Sequence, residues 1–280
     1  MNMTITLYRW SHDPELVNER VAELLKGCDI FFIEEGVSDH YKRLGRIFSE
    51  ASKTGVTENN YIILSEESKR IMSLVRDSGK IIEVEKSTLS MKERNEILEM
   101  GKEATYLFCD GEYEASCKKR LEHAKRYCER AIMDRDNDMK TQLANLQAEN
   151  EGKNILVPIG SLHQVYHMLK NDGVDTRQRL AQNPIVHSIF GEVTKRIYFD
   201  KPVPKEMASQ SIVQNLIGTY LINLYGEGMV DSNLESRKIT EKLNYDELRE
   251  LSEYLGQKAD RKRMPVEATV VWLKKKGIEV

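Results

Sequence analysis

Asn154-Ile155-Leu156-Val157-Pro158-Ile159-Gly160-Ser161-Leu162-His163 decides the fold, because an apolar, strand-like run ends in Gly-x-x-His and passes directly into a helical pattern. A histidine is thereby delivered to a strand tip. Working outward, three similar runs precede it, at Thr4–Trp10, Asp29–Glu35 and Lys80–Glu85, and helical stretches lie between them. Strands alternating with helices predict an α/β fold, with a mostly parallel sheet flanked by helices. In such sheets ligands bind beyond the carboxyl ends of the strands, so His163 is a candidate site residue. Pro158 sits awkwardly in this reading, since proline gives no ladder hydrogen bond; it marks a bulge or the last residues of the strand. Between the first two strands, Pro14–Gly27 reads as a helix, with Asp13 as cap, proline in the first turn and glycine after the last.

Composition narrows the function classes. The 280 residues are 40% hydrophobic, enough for a substantial core, and carry 42 basic against 45 acidic side chains for a net charge of -3. That balance, without an arginine-rich stripe, argues against nucleic acid as a partner. The start, Met1–Leu7, has no basic segment leading into a long apolar core, and no run approaches the roughly 20 apolar residues of a membrane span. The expectation is a cytoplasmic protein. Cys28, Cys109, Cys117 and Cys128 show no C-x-x-C spacing and read as reduced core thiols. The division expected is an α/β domain over 1–175 carrying the site, with a helical C-terminal extension over 176–280 packed on it. In that extension Ile212–Tyr225 is strongly apolar and Asp246–Leu255 amphipathic, and the region is a candidate for homo-oligomer contact.

Between Glu112 and Glu151 there is neither glycine nor proline, and Cys117, Leu121, Ala124, Cys128, Ile132, Met139, Leu143 and Leu146 recur at helical spacing. This predicts one long helix, or two joined by a kink. The stripe has a gap between Ile132 and Met139, and the residue at the expected spacing is Arg135. A guanidinium on a buried face needs an anion, either a protein carboxylate or a ligand.

Carboxylates are available where the second strand runs into Glu34 and Glu35, whose side chains point to opposite faces. A second histidine, His12, follows the first strand. Two strand-tip histidines and a strand-tip carboxylate suit a divalent ion (Mn, Co, Zn or Fe) with an open position for water, and the same set without metal suits acid/base chemistry. Other candidates carry less. His163 and His167 share a helix face, but Gln164 stands where H-E-x-x-H requires glutamate. Glu83 and Glu85 end the third strand within reach of the pocket, but Lys80 and Lys86 around them suggest a solvated strand end. His40, His123 and His187 have no supporting context, and no phosphate loop, G-x-G-x-x-G or G-x-S-x-G occurs.

In order, these parts resemble the TraB/PrgY and Tiki family, within the wider grouping that includes erythromycin esterase-like and ChaN-like proteins. Met133-Asp134-Arg135-Asp136-Asn137-Asp138-Met139 is similar to that family's arginine-acid helix motif, Ile159-Gly160-Ser161-Leu162-His163 to its second Gly-x-x-His, and Ile33-Glu34 to its strand-ending glutamate. The first Gly-x-x-His departs from the pattern: Arg9 replaces the glycine in Arg9-Trp10-Ser11-His12. The likeness covers residues 4–175. It implies a metal-dependent peptidase-like hydrolase, with His12, Glu34 and His163 holding the metal, and Glu34, Arg135 and His163 catalytic. Arg135, Glu35, Asp136 and Ser161 would face a peptide or small-molecule substrate. Members of the family are often membrane-anchored, and its ChaN-like relatives bind haem and iron. The competing expectation is a binding protein that uses the same pocket for a metal, haem or small anion without turnover.

Overall fold

A computed structural model describes residues 4–10, 21–34, 47, 49–50, 53, 73, 75–76, 78–180, 188–225, 229–257 and 265–280. Two compact units divide the chain. The first, Met1–Lys92 with Arg130–Ile185, is built on a five-stranded sheet in which every pairing is parallel. Its strands are β1 (Ile5–Trp10), β2 (Ile30–Ile33), β3 (Ile81–Val84), β4 (Ile155–Gly160) and β5 (Thr176–Leu180), ordered β3-β2-β4-β1-β5. Steps β1 to β2 to β3 run toward one edge and β4 to β5 toward the other, so the direction reverses around β4, where ligands of open α/β sheets bind.

Side-chain alternation sorts the sheet's residues onto two covered faces. Tyr8, Phe31, Ile33, Ile82, Val84 and Leu156 pack with Val21 and Leu25 of the helical stretch 21–26. Ile5, Leu7, Ile30, Phe32, Ile155, Val157 and Ile159 pack with Met139 and Leu143 on the opposite side. Sheets buried on both faces are read from continuous apolar runs, which the central strands β2 and β4 carry. Of the helix expected over Pro14–Gly27, only residues 21–26 fall among those described, and they are helical.

Pro158 lies within β4, and its position explains a feature of the site. Ile155 donates its amide to the carbonyl of Thr4, just before β1, so the amides of 156, 158 and 160 alternate toward β2. Pairing of β4 with β2 covers only Ile155 and Leu156. Proline has no N–H to continue it, and the next amide on that side, Gly160, is taken by the Glu34 carboxylate at 2.7 Å.

The second unit, Glu93–Glu129 with Val186–Val280, is helical. After the helical stretch 21–26, the helices bounded among the described residues are, in chain order, α1 (Met91–Cys109), α2 (Tyr113–Tyr127), α3 (Asp134–Glu149), α4 (Val165–Asn171), α5 (Ile189–Tyr198), α6 (Lys205–Tyr225), α7 (Met229–Thr240), α8 (Tyr245–Gly256) and α9 (Pro265–Lys275). Of these, α3 and α4 belong to the sheet unit. Phe108, Tyr113 and Cys117 form one core with Ile212, Leu216, Leu251 and Trp272. The expected long helix is α2 and α3 joined by a π-helical turn at Cys128–Met133, and the division between units falls at that turn.

The division expected at 175/176 is therefore corrected in two respects. β5 lies past residue 175 yet pairs with β1, and α1 and α2 fall in the helical unit. The strand Thr-Arg-Gln-Arg-Leu is a polar edge strand with no apolar run to announce it, while the apolar faces of α1 and α2 pack on partners far along the chain, as Tyr113 does on Ser209, 96 residues away.

Candidate functional site

The register of β2 and β3 aligns Phe32 with Glu83 and Ile33 with Val84, which sets Glu34 beside Glu85. Alternation puts both carboxylates on the face covered by α3. Two neighbouring carboxylates in a buried layer repel unless a cation lies between them. Arg135 of α3 supplies it: Nε and Nη2 donate to the two Glu85 oxygens at 2.9 and 2.7 Å, and Nη2 also donates to Glu34 Oε1 at 3.0 Å. The guanidinium expected to meet an anion on this face meets protein carboxylates. Glu85, expected at a solvated strand end, is 0% exposed, which overturns that reading. Burial raises its pKa, and the Arg135 charge and hydrogen bonds oppose the rise without cancelling it.

The next residue of α3 serves the other half of the cluster. Asp136 is buried; one oxygen accepts from His163 Nδ1 and the other from the Gln164 amide at 2.8 Å. Consecutive residues 135 and 136 both point inward just after the π-helical turn. The extra residue such a turn holds broadens the inward-facing stripe, and π turns are frequent at functional sites. His163 Nε2 faces Glu34 Oε1 at 3.1 Å, and Glu34 Oε2 holds the Gly160 amide. Burial alone would lower the His163 pKa. The Glu34 charge and the hydrogen bonds to Asp136 and Glu34 outweigh it, with Arg135 opposing, and the value is pushed up to about 9. At neutral pH the imidazole is protonated and donates from both nitrogens.

Arg9, where the family pattern has glycine, reaches from β1 to donate to the Ser161 carbonyl, within the turn that carries His163. Burial lowers its pKa and Asp136 partly restores it. Arg9, Arg135 and His163 thus stand against the carboxyl groups of Glu34, Glu85 and Asp136.

Glu34, Arg135, Asp136, Ser161 and His163 come together at the carboxyl ends of β2 and β4. His12 and Glu35 lie outside the described residues, as do His40 and His187. His167 is at the start of α4 and packs its ring on Tyr166, 5.2 Å away, without joining the cluster. Glu85 joins the cluster despite its flanking lysines, and the β2–β3 register is the feature that places it there. As metal ligands, His163 Nε2 and Glu34 Oε1 are two donors 3.1 Å apart, and Asp136 on Nδ1 is the outer carboxylate that metal-binding histidines usually have. No group of three His, Cys, Asp or Glu side chains that could hold a metal is found among the described residues. In comparisons with known proteins, no family model, curated protein or solved structure matches the chain.

Proposed function

We propose that the protein is a metal-dependent hydrolase of the peptidase-like type that the TraB/Tiki resemblance implies, acting on a peptide or a small amide or ester. The observation that carries this reading is the Asp136–His163–Glu34 arrangement. A carboxylate fixes Nδ1 of a buried imidazole and turns Nε2 toward a second carboxylate at a strand tip. A divalent ion held by His12, Glu34 and His163 would supply an activated water for attack on the carbonyl.

The chain's own residues have distinct tasks in this reading. Asp136 sets the orientation of His163, and through the Gln164 amide it also fixes the turn on which that histidine sits. Arg135 and the Gly160 amide hold Glu34 by its two oxygens, so its carboxylate cannot swing away from His163. Because Nε and Nη2 of Arg135 are engaged by Glu85 and Glu34, its part is to hold Glu34 in place; Ser161 and Glu35 are the residues assigned to the substrate side. No helix among the described residues is long and apolar enough to cross a membrane. All four cysteines are buried thiols outside any disulfide, and on that ground the location in this reading is the reducing cytoplasm.

Metal content measured by mass spectrometry, on protein purified without a metal-affinity column, tests the reading. Near-stoichiometric metal in wild type, lost in a still-folded His12→Ala, His163→Ala variant, is the expected result and leads to peptide and ester panels. Wild type that stays empty after incubation with Mn, Co, Zn and Fe would refute it.

A further inference from the structure

The helical unit buries a cation that no acid among the described residues neutralises. Arg120, on α2, is 3% exposed. Its Nε donates to Ser211 Oγ at 2.8 Å, Nη2 to the Ser211 carbonyl at 3.4 Å, and Nη1 lies 3.3 Å from His123 Nδ1. Its guanidinium carbon sits 4.5 Å from the centre of the Phe190 ring, which stacks on His123 at 4.8 Å and 18°. Each of these partners is neutral: a hydroxyl, a carbonyl, an aromatic face and an imidazole. Burial lowers the guanidinium to about 10 and no carboxylate raises it again. The same burial holds His123 down at about 4, with Arg120 adding to the effect, so its ring is neutral and Nδ1 can accept from Arg120.

Arg135 shows what this chain does with a buried guanidinium that serves structure: two carboxylates clasp it. Arg120 is buried as deeply, in a sequence with 45 acidic residues to draw on, and has none among the described residues. A side chain needed only to fill space here would be better as an aliphatic one, since an unpaired buried charge is costly and hydrophobic replacements of buried charges are often stabilising. Two half-buried rings, Phe190 and Tyr127, lie against each other at 5.4 Å and form the outer layer of the cluster, so Arg120 is one ring away from the surface. A planar guanidinium fork matches a group with two oxygens on one atom.

We propose that Arg120, with Ser211 and Phe190, anchors a binding site in the helical unit for a small oxyanion, a carboxylate or a phosphoryl group. Thermal unfolding with added sodium phosphate or sodium acetate, each against sodium chloride at matched ionic strength, reads it out. Wild type is expected to gain roughly 5 °C at a saturating concentration of the anion that fits. Arg120→Met is expected to melt higher than wild type in anion-free buffer and to ignore the added anion. A response to phosphate alone assigns a phosphoryl ligand, and one to acetate alone a carboxylate. An unresponsive wild type, or equal responses in wild type and Arg120→Met, overturns the site and makes Arg120 a structural cation. Should Arg120→Met fail to fold, the Arg120 Nε–H resonance of wild type, identified by its loss in Arg120→Lys, decides alone. A saturable shift with phosphate or acetate supports the site; an unmoved signal removes it.

Discussion

Arg135 has two carboxylates, and the energetics of the strand-tip cluster turn on that pairing. Arg135→Met leaves Glu85 buried without its bidentate cation and should cost about 3–5 kcal/mol in urea unfolding, the usual penalty for breaking a buried pair. Adding Glu85→Gln removes the uncompensated charge, so the double variant should recover most of that loss; penalties that simply add would show the two are not coupled. The Asp136–His163 contact carries a different expectation. Asp136→Asn removes the charge that orients the imidazole, and in the proposed metal site it should weaken metal binding about 10- to 100-fold, read by calorimetric titration. Unchanged affinity would take Asp136 out of that role. Much of this cluster was legible in the sequence. Arg135 stood out as a cation in an apolar stripe, and Glu34 and His163 as residues at strand tips. Glu85 did not, because Lys80 and Lys86 suggest solvent, and only the pairing of β3 with β2 shows which face its carboxylate takes.

Elements are legible when their burial is local and periodic. The first four strands are rich enough in apolar residues to be marked to within a residue or two; β5 has one exposed edge and a polar sequence, so its pairing with β1 leaves no trace in hydrophobicity. The helical packing shows the same limit, since nothing near Gly101 in sequence announces what it touches. A Cβ there would lie 2.8 Å from His123 Cε1, and that ring is held between α1 and Phe190. Alanine ordinarily gains about 1 kcal/mol over glycine within a helix, while overpacking costs about 1–3 kcal/mol. Gly101→Ala should therefore destabilise wild type and stabilise a His123→Ala background, a reversal of sign that chemical denaturation can resolve. At Gly256, the last residue of α8, the obstacle is the Asp110 backbone carbonyl, whose oxygen would lie 2.8 Å from an added Cβ. Backbone cannot rotate aside as a ring can. Gly256→Ala should cost more than Gly101→Ala, and equal costs would mean the Asp110 turn yields easily.

At the scale of the whole chain, the two units bury histidines whose titrations are shifted in opposite directions. His163, in the sheet unit, has a folded pKa of about 9 against an ordinary 6.5, so in metal-free protein its protonation favours folding. That contribution is complete below pH 6.5 and is lost as pH rises through about 9. His123, in the helical unit, has a folded pKa of about 4, so the unfolded chain binds its proton first. Its neutral form costs nothing above pH 6.5, and stability falls as pH drops from 6.5 toward 4. Hydrogen exchange, corrected for intrinsic rates, should therefore show β4 and α3 losing protection on the alkaline side and α2 and α6 on the acid side. His123→Gln isolates the acid limb, because glutamine offers Arg120 an acceptor but no titrating proton. If α2 and α6 lose protection in acid as steeply in that variant as in wild type, carboxylate protonation, and not His123, governs the acid stability of the helical unit.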